Sequence, residues 1–250
     1  MIAEPITVQT SEGPAAVRVH PSAQDTRGTI VLGHGAGGPL GSWPKDLQSV
    51  LTATAHGWTV VLVEQPWRLA GRKVASRPPT LDAAWTELLS ALDTGLDAGH
   101  TGLDTGLDAG PAGLSALRHP LPRPLVVGGR SAGARVACRT SPGDPDAGLP
   151  RADGVLCLSF PLHPPGGPDK SRSAELATPI NLTIPTLVVQ GGADPFGSPA
   201  EILVALAAGI EGRPLDTASL DLVEVPGNHS PSRDQDLVTH SVMSWLEQLG

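Results

Sequence analysis

Five short apolar runs recur along the chain: Ile30–Leu32, Val60–Val63, Leu125–Val127, Val155–Leu158 and Leu187–Val189. A sixth, Leu220–Val225, is more mixed. They are short, rich in β-branched residues and apolar at consecutive positions, so they read as strands covered on both faces. Between them lie helical stripes: Trp43, Leu47, Val50 and Leu51; Leu81, Trp85, Leu88 and Leu92; Leu237, Val238, Val242, Trp245 and Leu246. Strand–helix alternation of this kind predicts a mostly parallel sheet with helices on both faces. Ser42 is expected to cap the first stripe and Gly57 to end it. The first 20 residues read as a hairpin, "ITVQT" and "AAVRV" turning at Gly13-Pro14.

A chain of 250 residues suits one α/β domain spanning residues 1–250. Hydrophobic residues make up 40%, enough for a core, while 30 glycines and 26 prolines call for many loops. A net charge of −8 disfavours a nucleic-acid or anionic-membrane surface. The longest apolar run, Ile202 to Ala208, is far short of the ~18 residues of a membrane span. Cys138 and Cys157 form no CxxC pair, and the N-terminus MIAEPITVQT carries no apolar leader, so a cytoplasmic protein with reduced thiols is expected. A monomer or small homo-oligomer fits this picture. One stretch breaks the alternation. Residues 92–110 repeat G-L-D-x-G, and residues 93–123 are expected to form a low-complexity insertion.

The chemistry centres on "GGRSAGARVACR", residues 128–139. It holds a G-x-S-x-G pattern with an apolar strand before it and a helical pattern after it. Gly128 and Gly129 are taken to end the strand. That context makes Ser131 a candidate nucleophile on a sharp turn beside a helix N-terminus. The rival reading is a small residue at a packed turn. A serine hydroxyl needs a base, and the base needs an orienter. Among eight histidines, His229 in "PGNHSPS" lies on a loop after a late strand and before the last helix. In "TLVVQGGADPFG", Asp194 follows a strand in a turn. The order Ser131, Asp194, His229 is that of hydrolases built on a parallel sheet. "VLGHGAGG", residues 31–38, supplies a glycine-rich loop whose expected oxyanion donor is the N–H of Ala36, paired with that of Ala132. Phosphate binding is the rival for this loop, but it lacks a G-K-[ST] ending. His34 is read as a brace of the loop and as a candidate substrate-binding residue. No metal or cofactor is expected.

Taken together, "LGHGAGG", "EQPWRLAGRKVA", "GGRSAGARVACR", "SFPLHPPGGPDKSR" and "QGGADPFGSP" resemble the small bacterial α/β-hydrolases of the dienelactone-hydrolase-like group. They are also similar to the hydrolase-like domains of a eukaryotic testis-expressed protein and of a histone-acetyltransferase-complex subunit. The resemblance covers residues 28–250 apart from the insertion. It implies an α/β-hydrolase fold with about eight strands and a Ser-His-Asp site. Dienelactone hydrolases carry Cys in the elbow, where this chain has Ser131, so the group's name does not carry an activity with it.

Arg68, Arg72, Lys73 and Arg77 leave the sheet on the edge that carries Ser131, and Arg130 and Lys170 are read as neighbours. They would attract an anionic ester, or they are a solvated loop. His163 is expected beside the acyl group, and only residues 161–183 are free to serve as a minimal lid. The expected partner is a small ester or thioester hydrolysed through an acyl-enzyme. A non-catalytic interaction module and an acyltransferase are the alternatives.

Overall fold

Ile30, Val31 and Leu32 are all fully buried, yet they belong to two separate apolar clusters. Val31 faces one side of a sheet; Ile30 and Leu32 face the other. A strand presents alternate residues to opposite faces, so a continuous apolar run demands cover on both. The computed structural model describes residues 5–36, 40–95, 117, 120–209, 216–230 and 233–249. The repeat at 92–110 lies almost wholly outside them.

Eight strands form one sheet: β1 Ile6–Thr10, β2 Gly13–His20, β3 Gly28–Gly33, β4 Trp58–Glu64, β5 Leu125–Arg130, β6 Gly154–Leu158, β7 Thr186–Gly191 and β8 Leu220–Val225. Their order is β1-β2-β4-β3-β5-β6-β7-β8. The β1–β2 and β2–β4 pairs are antiparallel, and every other pair is parallel. The helices are α1 Lys45–Val50, which runs into a 3-10 turn at Leu51–His56, then α2 Pro66–Leu69, α3 Pro78–Thr94, α4 Ala132–Thr140, α5 Ser173–Asn181, α6 Pro199–Ala207 and α7 Gln235–Leu249. Residues of α3, α4, α5 and α6 bury one face in a cluster containing Trp85, Leu88, Val136, Ile180 and Ile202. Those of α1 and α7 bury the other, around Leu47, Val50, Trp58, Val242 and Trp245. Each large apolar side chain so buried contributes about 1.5–3 kcal/mol.

The predicted architecture is thus observed, with local differences. The hairpin turns at Ser11 and Glu12, because Gly13 and Pro14 already pair with Thr10 and Gln9. Ser42 does not cap α1. The N-cap is Pro44, since a residue before proline is pushed away from helical angles and the helix starts only after it. Gly57 ends the 3-10 turn at φ 90°, as expected. β5 runs through Gly128 and Gly129 to Arg130 instead of stopping at the glycines, because both pair with β6. Part of the segment expected as a lid is packed: α5 buries Leu176, Ala177 and Ile180 in the helical layer. No helix is long and apolar enough to cross a membrane among the described residues.

Candidate active site

Ser131 stands between β5 and α4 with φ 53° and ψ −106°. A non-glycine residue in such a conformation costs on the order of 1–3 kcal/mol, so the surroundings must enforce it. They do so through close backbone approach. A Cβ on Gly129 would lie 2.2 Å from the Gly33 carbonyl oxygen, and one on Gly133 would lie 2.4 Å from the same atom. The two glycines of the motif are there because β3 passes against the turn. The Ser131 N–H donates to Leu158 O at 3.1 Å, and Gly133 N–H donates to His34 O at 3.1 Å. Helix α4 is fixed from its outer side as well: Arg139 pairs with Asp82 of α3 at 2.6 Å and with Glu175 of α5 at 2.8 Å.

His229 follows β8 on the loop leading to α7. Its Nε2 lies 2.9 Å from Ser131 Oγ and its Nδ1 lies 2.8 Å from Asp194 Oδ2. A carboxylate only accepts, so Nδ1 carries the proton and Nε2 is left to accept from the serine hydroxyl. Asp194 has a fully buried side chain, while the His229 side chain remains 16% exposed. The carboxylate is surrounded by donors. Phe196 N–H donates to Oδ1 at 2.8 Å, and Gln190 Nε2 donates to Oδ2 at 2.8 Å. The Phe196 ring lies on the imidazole at 4.2 Å between centroids. Three residues far apart in sequence therefore form one hydrogen-bonded chain at the carboxyl edge of the sheet.

Ala132 is the first residue of α4, and Gly35 comes so close to Ser131 that a Cβ on it would sit 3.2 Å from the serine Cβ. Ala36 follows directly and is exposed; the rest of its loop, residues 37–39, lies outside the described residues. His34 is buried and doubly engaged. Its Nδ1–H donates to Gly35 O at 2.8 Å, and its Nε2 accepts from Gln65 N–H at 3.1 Å. Burial is the main reason its pKa falls to about 4, helped by the nearby Arg68 charge and opposed by the Gly35 bond. It is a neutral brace.

The cations expected near the substrate are placed differently from one another. Arg68 points inward, pairing with Glu64 at 3.3 Å and donating to Ser42 O at 3.0 Å. Arg130 is also buried, bound to Asp46 at 2.9 Å and to the loop of His229. Arg72, Lys73, Arg77 and Lys170 are exposed. His163 donates from Nδ1 to Pro164 O at 2.9 Å and lies 3.4 Å from Glu201. With Leu162, Ala200, Val204 and Ala205 it lines an apolar cavity of about 490 Å³ that none of Ser131, Asp194 and His229 lines. Cys138 and Cys157 are free, buried thiols with Sγ atoms 3.5 Å apart. No group of three potential metal ligands stands together among the described residues.

Sequence reasoning missed Gln190 and Asp46. Gln190 sat in the quoted "QGGADPFG", and a lone amide among strand apolars was the available signal.

The family described as alpha/beta hydrolase domain matches residues 26–230. The chain belongs to that alpha/beta hydrolase family. Solved structures agree on the fold. An alpha-beta serine hydrolase homologue from Coxiella burnetii superimposes with a TM-score of 0.64 at 14% identity, covering 100% of this chain and 99% of the other. A dienelactone hydrolase from Anabaena variabilis gives 0.63 at 16%, over 98% and 96%. Esterase 2 of Thermogutta terrifontis gives 0.62 at 14%, over 99% and 95%. In this alpha/beta hydrolase, Ser131 is the residue at the sharp turn from β5 into α4.

Proposed function

We propose that the protein is a serine hydrolase of small carboxylic esters, and that Ser131, His229 and Asp194 are its catalytic triad. One observation carries this reading: Ser131 Oγ, both nitrogens of His229 and Asp194 Oδ2 form an unbroken chain with steps of 2.9 and 2.8 Å. The base is already within hydrogen-bond reach of the proton it removes.

In the reaction, His229 Nε2 takes the Ser131 proton as Oγ attacks the ester carbonyl. Asp194 holds the imidazole in the right tautomer and stabilises the imidazolium. The Ala132 and Ala36 N–H groups receive the oxyanion; one such donor is worth about 3 kcal/mol. His229 then protonates the leaving alcohol, and water repeats the sequence on the acyl-enzyme. The fold does not choose among ester, thioester and amide. Ester is our first substrate class, the one in the name of esterase 2 of Thermogutta terrifontis, and a substrate panel rather than the fold must choose it. The exposed Arg72, Lys73 and Arg77 favour an anionic ester, since they leave the sheet on the Ser131 edge.

A fluorophosphonate probe tests the reading. Wild type labels, and Ser131→Ala abolishes labelling while leaving the fold intact. Folded wild-type protein that does not label overturns the proposal in favour of a non-catalytic interaction module, the role suggested by the resemblance to the testis-expressed and acetyltransferase-complex domains. Products that appear only with an added alcohol or amine acceptor identify an acyltransferase instead.

A further inference from the structure

Arg130 is the last residue of β5, directly before the serine, and its side chain is 9% exposed. A guanidinium out of water needs matched acceptors, because an unpaired buried charge is strongly destabilising. It has three. Nε donates to Asp46 Oδ2 at 2.9 Å, and Nη2 donates to both the His229 carbonyl and the Ser230 hydroxyl. Asp46 is itself buried on α1, where its other oxygen accepts from Leu47 N–H at 3.0 Å. The residue next to Ser131 in sequence therefore grips the main chain of His229, 99 positions away. His229 is held twice over: its ring by Asp194 and Phe196, its backbone by Arg130.

The backbone of Arg130 is rigid for a separate reason. It is the last residue of β5 and pairs with Leu158 of β6. The fork is thus fixed at its base by a strand, at Nε by a carboxylate and at Nη2 by the His229 loop, so three of the five N–H groups of the guanidinium are engaged by the protein.

We infer that Arg130 is a positioning residue for the reaction proposed above. It ties the His229 loop to the strand that presents Ser131, so that nucleophile and base move as one unit, and Asp46 neutralises the charge this requires. The planar fork is what reaches several acceptors at once; a lysine ammonium is a compact point charge on a flexible stem and would keep only part of the set. The inference rests on the serine-hydrolase reading.

The test compares wild type, Arg130→Lys, Arg130→Gln and Ser230→Ala by ester hydrolysis, with active sites counted by fluorophosphonate so that unfolded protein does not enter kcat. Displacement of a base by ~1 Å costs up to ~100-fold, so kcat per labelled site is expected to fall about 10-fold or more in Arg130→Gln, with KM within about 3-fold of wild type. Arg130→Lys recovers part of the loss, and Ser230→Ala lowers kcat by only a few-fold. If Arg130→Gln does not fold, the lysine and alanine variants carry the comparison. Wild-type kcat per labelled site in Arg130→Lys and Ser230→Ala, or a change confined to KM, overturns the inference while leaving the hydrolase reading intact. A wild type that neither labels nor hydrolyses overturns both.

Discussion

Gln190 donates to the same Asp194 oxygen, Oδ2, that accepts the His229 N–H, at 2.8 Å in both cases. The amide also reaches Phe160 O at 3.1 Å and Gly197 O at 2.7 Å, so its two hydrogens are shared among three acceptors. It sits fully buried on β7, four residues before the aspartate, and holds the acid turn closed. Gln190→Leu keeps the volume and removes the donor: Asp194 Oδ2 keeps only its bond from His229, Phe160 O keeps only that from Leu162 N–H, and Gly197 O loses its bond from the amide. The expected cost is about 1–3 kcal/mol of stability, read by urea denaturation. A fall in kcat should accompany it, because Asp194 is no longer fixed. Unchanged stability would show that the amide bonds carry no net weight.

Asp194→Asn tests the tautomer argument. An asparagine retains the shape but offers an amide donor or carbonyl that no longer selects the Nδ1–H form of His229. By analogy with triads of the same geometry, kcat should fall by about 10⁴, with KM little changed. Steady-state hydrolysis of a chromogenic ester measures both. A loss of less than about 10-fold would mean that Asp194 is not needed to orient the base.

The elbow glycines make a stability prediction independent of catalysis. A methyl group on Gly133 would meet the Gly33 carbonyl carbon at 2.5 Å as well as its oxygen. Both atoms belong to β3, so neither can rotate away. Gly133→Ala should therefore cost at least ~1–3 kcal/mol and reduce soluble yield. Gly71→Ala, where nothing lies within 4 Å but φ is +71°, separates backbone strain from steric collision. If thermal melts of the two variants are equally lowered, collision at the elbow is not the cause.

The legible parts of this protein were those with local signatures. Ser131 announced itself because a strand, two glycines and a helix adjoin it, and His229 because it follows a late strand before a closing helix. What these local signatures left out was direction. Arg68 and Arg130 read as cations facing substrate, yet both turn inward. A signal existed for each. Glu64 lies four residues before Arg68, the spacing of a paired face. Val126 faces the α1 side of the sheet, so period-two alternation puts residue 130 on that side too, towards Asp46. Ending the strand at the glycines concealed this phase. Gln190 was hidden differently: its partners Asp194 and Gly197 lie close in sequence, but no local spacing rule tells that the turn folds them back onto the amide.

His34 supplies a pH prediction. An imidazole has a pKa near 6.5 in the unfolded chain, and burial lowers that of His34 to about 4 in the fold. As pH falls below 6.5 the unfolded chain takes up a proton that the native protein refuses. The unfolded state binds more protons in this window, so stability rises with pH and is lost progressively between about 6.5 and 4. One group contributes at most ~1.4 kcal/mol per pH unit, and over the window up to about 3 kcal/mol. His34→Gln offers a donor and an acceptor for the Gly35 and Gln65 bonds but does not titrate. Urea denaturation at pH 7 and pH 5 should give a smaller acid loss in the variant than in wild type. Equal losses would mean that His34 is protonated in the fold at pH 5, and that its bond from Gln65 N–H opens readily.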